Sequence, residues 1–325
     1  MVKIGEIELG DYPLFLAPME DITDPSFRYV CKHFGADVMY TEFISSDGLI
    51  RDAANSRVKL DIFDYERPIG IQLYGHLPGA MVESAKIAET SKPDFIDINF
   101  GCPVKKIARR GAGAGMLNNI PLMVEMTSAI VKAVSTPVTV KTRLGWDEET
   151  KNIESIAEQL QDAGIAALAI HGRTRAQLYK GNADWTLIGK VKENPRIHIP
   201  IIGNGDIISP EDAKNAFDTY GVDGVMIGRG TVGKPWIFRD IKNYLKTGDH
   251  ASPLTVSEKV DLAKLHFQKS IEFKGERTGV YEMRRHLSNY FKGLPNFKEI
   301  RLRLVTEQDP EKIPLILEEV RERWG

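Results

Sequence analysis

Cys102 closes the stretch Asp97-Ile98-Asn99-Phe100-Gly101-Cys102-Pro103, where an apolar, strand-like run ends abruptly in a turn. Proline fixes its own φ and restricts the residue before it, so Cys102 is held extended or in a turn. A thiol at a strand end acts as nucleophile, metal ligand or proton donor only if partners surround it. Without them it is a small buried hydrophobe, the ordinary state of a free cysteine. Other groups with chemistry recur in the same setting, on or just after short apolar runs. Gln72 lies in one such run, Asn99 ends another, and Lys141 with Arg143 and His171 with Arg173 end two more. Ala17-Pro18-Met19, Asn204-Gly205-Asp206 and Gly228-Arg229-Gly230 each follow one. Taken singly, such a lysine is a solvated charge, such a histidine a structural residue, and Asn-Gly-Asp a plain turn.

The elements that carry these residues alternate. Strands are expected at Leu14–Ala17, Asp37–Thr41, Pro68–Leu73, Phe95–Asn99, Pro137–Lys141, Ala167–His171, Ile199–Gly203 and Gly224–Ile227. Helical segments or loops fall between them. Asp24-Pro25 and Ser209-Pro210 read as helix starts, with a capping side chain followed by proline at the first helical position. Strict βα alternation implies a parallel sheet, and eight units over about 240 residues fit a (β/α)8 TIM barrel. A doubly wound sheet would place a glycine fingerprint directly after the first strand. Ala17-Pro18-Met19 stands there instead, and Gly111-Ala112-Gly113-Ala114-Gly115 follows no strand. The barrel is assigned to residues 1–246 and a linker to about 247–253. A smaller helical domain is assigned to 254–325, with helices over 256–273, 279–291 and 312–323.

In such a barrel, catalysis occurs where strands end. Six strands presenting polar or glycine-rich ends at one rim point to an active site. Glycine-rich loops after the seventh and eighth strands suit a phosphate, bound through backbone N–H groups, with Arg229 as a bidentate partner. Lys141 and His171 put charge and donors at the centre. Gln72 and Asn99 both donate and accept, as the edge of a heterocycle requires. Phosphate on one side and a polar ring over the mouth describe FMN, with the lysine stabilising the anionic reduced ring.

Composition is that of a soluble globular protein: 42% hydrophobic, 27% charged, formal net charge -2. No apolar run approaches the roughly 20 residues of a membrane span. The start of the chain lacks a signal-peptide core, and two cysteines make no disulfide framework, so a cytoplasmic setting is expected. No metal site is expected, and a monomer is the default. Charge is uneven, however. Lys105, Lys106, Arg109 and Arg110 follow Cys102 and lead into the glycine-rich stretch, which reads as a mobile lid. From Arg277 to Arg303, seven cations (Arg284 and Arg285 among them) face two acids, with Tyr281, Tyr290 and Phe291 interleaved. Both clusters are candidate nucleic-acid surfaces.

Together these motifs resemble the tRNA-dihydrouridine synthases, most of all the bacterial B-type branch. The resemblance rests on Ala17–Met19, Ile71–Gly75, Asp97–Lys106, Val140–Trp146, His171–Arg175, Ile202–Ile207 and Gly224–Gly230, in family order across the whole barrel. Phe100 between Asn99 and Gly101 is the B-type form. Asn289, where the family often has an aromatic, and Gly115, where alanine is usual, are departures. The resemblance implies reduction of a specific uridine in tRNA to 5,6-dihydrouridine. Hydride would pass from FMN N5 to uracil C6 and a proton from Cys102 to C5, with NADPH (or NADH) as reductant. It implies that Ala17, Pro18, Met19, Gln72, Lys141, His171, Asn204, Gly205, Asp206, Gly228 and Arg229 hold FMN. Asn99 and Arg173 would meet the uracil or its phosphate. Two other readings compete: an FMN-dependent dehydrogenase of free pyrimidines, of the dihydroorotate or dihydropyrimidine type, and a non-catalytic RNA-binding protein.

Overall fold

The computed structural model describes residues 1–325. A hairpin not anticipated from the sequence, β1 (Val2–Ile4) and β2 (Ile7–Gly10), comes first. The strands that follow are β3 (Leu14–Leu16), β4 (Met39–Tyr40), β5 (Ile44–Ser45), β6 (Ile69–Tyr74), β7 (Phe95–Asn99), β8 (Val138–Arg143), β9 (Ala167–His171), β10 (Ile201–Asn204) and β11 (Gly224–Ile227). They pair in parallel in the order β3-β11-β10-β9-β8-β7-β6-β4, and β5 continues the second barrel position along β6. The ring closes where Phe15 bridges to Val38 and the Leu16 N–H donates to the Val38 carbonyl at 2.9 Å. This is the expected barrel. The second strand is shorter than its apolar run suggests, because the chain crosses from β3 to β6 and pairs with each for only two or three residues.

Strands buried on both faces read as continuous apolar runs, which is why alternation was legible. The two faces nonetheless differ. One set of alternate residues (Leu16, Ile71, Ile98, Val140, Leu168, Val225) packs outward under the helices. The inward set forms a separate cluster that includes Phe15, Tyr40, Phe95, Ala167, Ala169, Ile202 and Met226. Followed toward the C-terminal ends of the strands, the inward positions turn polar: Phe95 to Asp97 to Asn99, Ala169 to His171, Ile202 to Asn204. The interior is therefore an apolar plug with a polar cap.

Asp24 caps the helix Pro25–His33 as anticipated, accepting from the Phe27 N–H at 3.0 Å. The helix Ile237–Thr247 ends at Gly248 in the left-handed region, and Thr255 with Glu258 makes a capping box for the next. That helix, Val256–Tyr290, is broken at Gly275 (φ 74°, ψ 167°), in agreement with the two helical segments expected there. Helices Lys298–Thr306, which was not anticipated, and Lys312–Trp324 complete the C-terminal bundle. Its core includes Val30 and Trp236 from the barrel side. No helix is long and apolar enough to cross a membrane.

Candidate active site at the C-terminal rim of the barrel

A cavity of about 540 Å³ opens where the barrel strands end, a size usual for small-molecule sites. Cys102, Asn99 and ten of the eleven residues expected to hold a cofactor line it: Ala17, Pro18, Met19, Lys141, His171, Asn204, Gly205, Asp206, Gly228 and Arg229. Gln72 is the exception. It is fully buried beneath the cavity floor, donating from Nε2 to Asp97 Oδ2 (2.6 Å) and accepting at Oε1 from Asn99 Nδ2 (2.8 Å). Its inward position on β6 lies one pleat below the rim, so it supports the site from underneath.

Cys102 is seated on both sides of the backbone. The N–H groups of Gly101 and Cys102 both donate to Asn99 Oδ1 at 2.9 Å. Arg143 Nε donates to the Gly101 carbonyl at 2.7 Å, and its Nη1 reaches the carbonyls of Thr174 and Leu178 at 2.9 Å. The segment expected to be a mobile lid closes against this turn. The Ala114 N–H donates to the Cys102 carbonyl at 3.0 Å, and residues 113–117 are buried in a 3-10 turn. A Cβ on Gly113 would lie 3.0 Å from Cys102 Cβ, and one on Gly115 only 2.3 Å from the Ala108 carbonyl oxygen. These glycines permit close approach of backbone.

Electrostatics sort the central groups. Burial pushes the Cys102 thiol up, so it carries its proton at neutral pH. Burial, then the Arg143 charge, brings Lys141 down to about 8. It remains mostly charged at neutral pH. Burial, followed by the charges of Arg143 and Lys141, holds His171 well below the usual imidazole range, which makes it neutral. Its Nε2 lies 3.3 Å from Arg173 Nη1; arginine can only donate, so Nε2 accepts and Nδ1 carries the proton.

Asp206 ties the rim together. Arg173 holds it bidentately (2.9 and 2.6 Å), and Arg229 Nη2 donates to Oδ1 at 3.0 Å. Against the upward pull of burial, the Arg173 hydrogen bonds keep its carboxyl below the ordinary range. Arg173 itself is buried and also reaches the Lys180 and Gly181 carbonyls, so it braces the loop after β9 and does not face the cavity. Arg229 remains half-exposed above the ring of Tyr179, 5.0 Å from its centroid. Gly205 adopts φ 140°, which turns the chain sharply between Asn204 and Asp206. Lys105, Lys106, Arg109 and Arg110 are exposed on the rim beyond Cys102. Arg284 and Arg285 are on the C-terminal helix, where Arg284 donates to the Glu307 carbonyl (3.3 Å) and Arg285 to the Asp21 carbonyl (2.7 Å).

Sequence reasoning placed Arg143 at a strand end without giving it a role, and gave none to Asp97 or Tyr179. Arg143 and Asp97 share the inward parity of Lys141 and Asn99, a signal that could have marked them. Tyr179 stands on a loop with no periodicity to reveal it.

The dihydrouridine synthase family model matches residues 15–322. A probable tRNA-dihydrouridine synthase of Rickettsia conorii is 40% identical over 311 residues, covering 95% of this chain and 93% of that protein. A tRNA-dihydrouridine synthase B of Pseudomonas aeruginosa is 39% identical over 316 residues (96% and 93%), and one of Shewanella oneidensis 40% over 289 (89% of each). A match across barrel, rim and C-terminal helices, with relatives at this identity over nearly full length, places the chain in the dihydrouridine synthase family.

Proposed function

We propose that this protein is a tRNA-dihydrouridine synthase that uses FMN, with NADPH (or NADH) as reductant, to reduce a uridine held at the barrel mouth. The observation that carries the reading is one cavity that joins a protonated thiol at Cys102, a cationic Lys141 and a neutral His171. The donor set fits FMN. Arg229 beside the glycine-bearing turns at Gly205 and Gly228 suits a phosphate, and Ala17, Pro18 and Met19 offer an apolar wall for a flat ring. When bound, FMN supplies the hydride for reducing a carbon–carbon double bond.

The chain's own residues do the rest. Lys141 places positive charge where negative charge develops on a reduced heterocycle. Cys102 Sγ delivers its proton to uracil C5, a task that needs the thiol rather than the thiolate. Asn99 and Arg143 hold that sulfur in place through the backbone on either side of it. The uracil must leave its stack to reach a barrel mouth, so residues 254–325 and the rim cations are assigned to gripping the RNA backbone.

The test is Cys102→Ala. The purified variant is expected to stay yellow with bound flavin and to lose dihydrouridine formation on tRNA by at least about 100-fold. A wild-type rate overturns the role of Cys102. A colourless, inactive wild-type protein overturns the whole reading.

A further inference from the structure

Beneath Cys102 lies a line of four buried polar side chains with a single direction. At its upper end are two groups that can only donate, the N–H groups of Gly101 and Cys102. At its lower end is Asp97, which when ionised can only accept. Between them Asn99 Oδ1 accepts from both N–H groups (2.9 Å each), and Asn99 Nδ2 donates to Gln72 Oε1 (2.8 Å). Gln72 Nε2 then donates to Asp97 Oδ2 (2.6 Å), and Thr139 Oγ1 donates to Asp97 Oδ1 (2.5 Å). Asp97, Gln72, Asn99 and Thr139 are all at least nine-tenths buried, so water cannot replace a lost partner. An amide can point either way, and its direction is set by its neighbours. With donors at one end and a carboxylate at the other, both amides have one satisfied orientation.

We propose that Asp97 is a positioning residue for Cys102: its carboxylate sets the direction of the Gln72 and Asn99 amides, and thereby holds Asn99 Oδ1 under the turn that carries the thiol. The significance for catalysis rests on the proposed role of Cys102 as proton donor. Asp97 itself lies below the cavity and touches neither ligand nor thiol. Desolvation lifts its carboxyl to about 6, against the hydrogen bonds of Gln72 and Thr139 and the charge of Lys141 on β8. The Tyr40 ring from β4 is also close, its hydroxyl pushed above the usual phenol range by burial and then by Asp97. A protonated Asp97 can turn its O–H to Thr139 Oγ1 and keep its other oxygen as acceptor for Gln72 Nε2, so protonation alone does not reverse the line. Asp97→Asn is satisfied in the same way, its Oδ1 accepting from Gln72 while Thr139 Oγ1 accepts from its Nδ2, so this single variant is expected to keep the direction of the line.

The deciding test reverses the line. Asn99→Asp still accepts from the Gly101 and Cys102 N–H groups, but its second oxygen opposes Gln72 Oε1. Gln72 must then flip, which sets its oxygen against Asp97. Adding Asp97→Asn supplies a donor for the flipped Gln72, and every group is satisfied again. The readout is the rate of Cys102 alkylation by iodoacetamide at fixed pH, with fully buried Cys31 as internal control. Thermal midpoint and kcat against KM on tRNA are read alongside. Asn99→Asp is expected to raise the alkylation rate about tenfold, the size that one opposed buried hydrogen bond has on local opening. Asn99→Asp/Asp97→Asn returns it toward wild type. A double variant no better than Asn99→Asp, or one that fails to fold, overturns the proposal, as does Asn99→Asp behaving as wild type. Because alkylation does not depend on uridine reduction, the relay can stand even if Cys102→Ala proves active, and can fall even if it does not.

Discussion

Two cation-rich regions flank the cavity mouth, and both have the composition of an RNA grip. The structure uses them differently. On the rim, Lys105, Lys106, Arg109 and Arg110 are exposed along and after the short helix Lys105–Ala108, and none is paired with a carboxylate. In the C-terminal helices much of the charge is already engaged. Arg303 holds Glu319 bidentately at 2.6 Å, Arg284 reaches a carbonyl, and Arg285 donates to Asp21 on the loop that lines the cavity with Met19, Glu20 and Ile22. Lys274, on the same long helix, pairs at 2.5 Å with Asp24 and also with Glu282. Arg277, Lys292, Lys298 and Arg301 remain exposed. Net charge counts an engaged arginine and a free one alike. The rim region is a free electrostatic surface, while the C-terminal region is partly a clamp that docks the helices on the barrel wall.

The largest effect that would break this contrast concerns the rim. Reversing Lys105, Lys106, Arg109 and Arg110 to glutamate is expected to weaken tRNA binding about 1,000-fold at moderate salt and to flatten the salt dependence by a slope of about 3. Titrating tRNA at several salt concentrations measures both. Flavin content should not change, since none of the four lines the cavity. An unaltered salt slope would return the RNA surface to the C-terminal helices.

How far these roles could be read in advance differed by physical type. Strand ends were legible because a parallel barrel buries both faces of each strand, so an apolar run and its termination stand out. Lys141, His171 and Arg229 were found that way. Asp97 escaped because it lies within an apolar run, where only the period-two parity shared with Asn99 hints at an inward position; Gln72 was picked out, but its place beneath the cavity floor was not legible. The glycines of 111–115 were read only for their freedom; that Gly113 and Gly115 also let backbone pack against Cys102 and Ala108 depends on distant contacts with no signature in the sequence. Arg285 could not be told from a solvent-facing cation, because its partner, the Asp21 carbonyl, is 264 residues away and carries no side-chain signature.

The clamp yields the next effects. Lys274→Met leaves Asp24 and Glu282 without their cation, and Asp24 is almost fully buried. Breaking one partner of a buried pair typically costs about 3–5 kcal/mol. Calorimetry should show the C-terminal helices melting earlier, with tRNA affinity falling only as far as docking is lost. Acid attacks the same seam. His266 and His286 stack against Phe27 there, with Asp24, Lys274 and Arg285 around them. Burial lowers His286 to about 4, and holds His266 well below the usual range. Unfolding lets both bind protons near pH 6.5. Their contribution is thus fully present above that value and lost as pH falls toward 4, a drop on the order of 2–3 kcal/mol for His286 alone. Melting midpoints across this window test it, and His286→Gln should flatten the slope.

The smallest effect is the most discriminating. Arg285→Ala removes one charge-assisted hydrogen bond to the Asp21 carbonyl, worth about 1 kcal/mol at an exposed position. If Arg285 is an RNA contact, the loss appears as weaker tRNA binding and a salt slope shallower by about 1. If it is part of the clamp, the salt slope is unchanged, and the loss appears where the Asp21 loop acts, at the wall formed by Met19 and Ile22. Flavin affinity and kcat should then fall together while tRNA affinity holds. Arg285→Lys separates the two further. A lysine keeps the charge that a phosphate needs but not the planar guanidinium reach to a backbone carbonyl. Rescue of tRNA binding by lysine would assign Arg285 to the RNA, and failure to rescue the flavin site would assign it to the barrel wall.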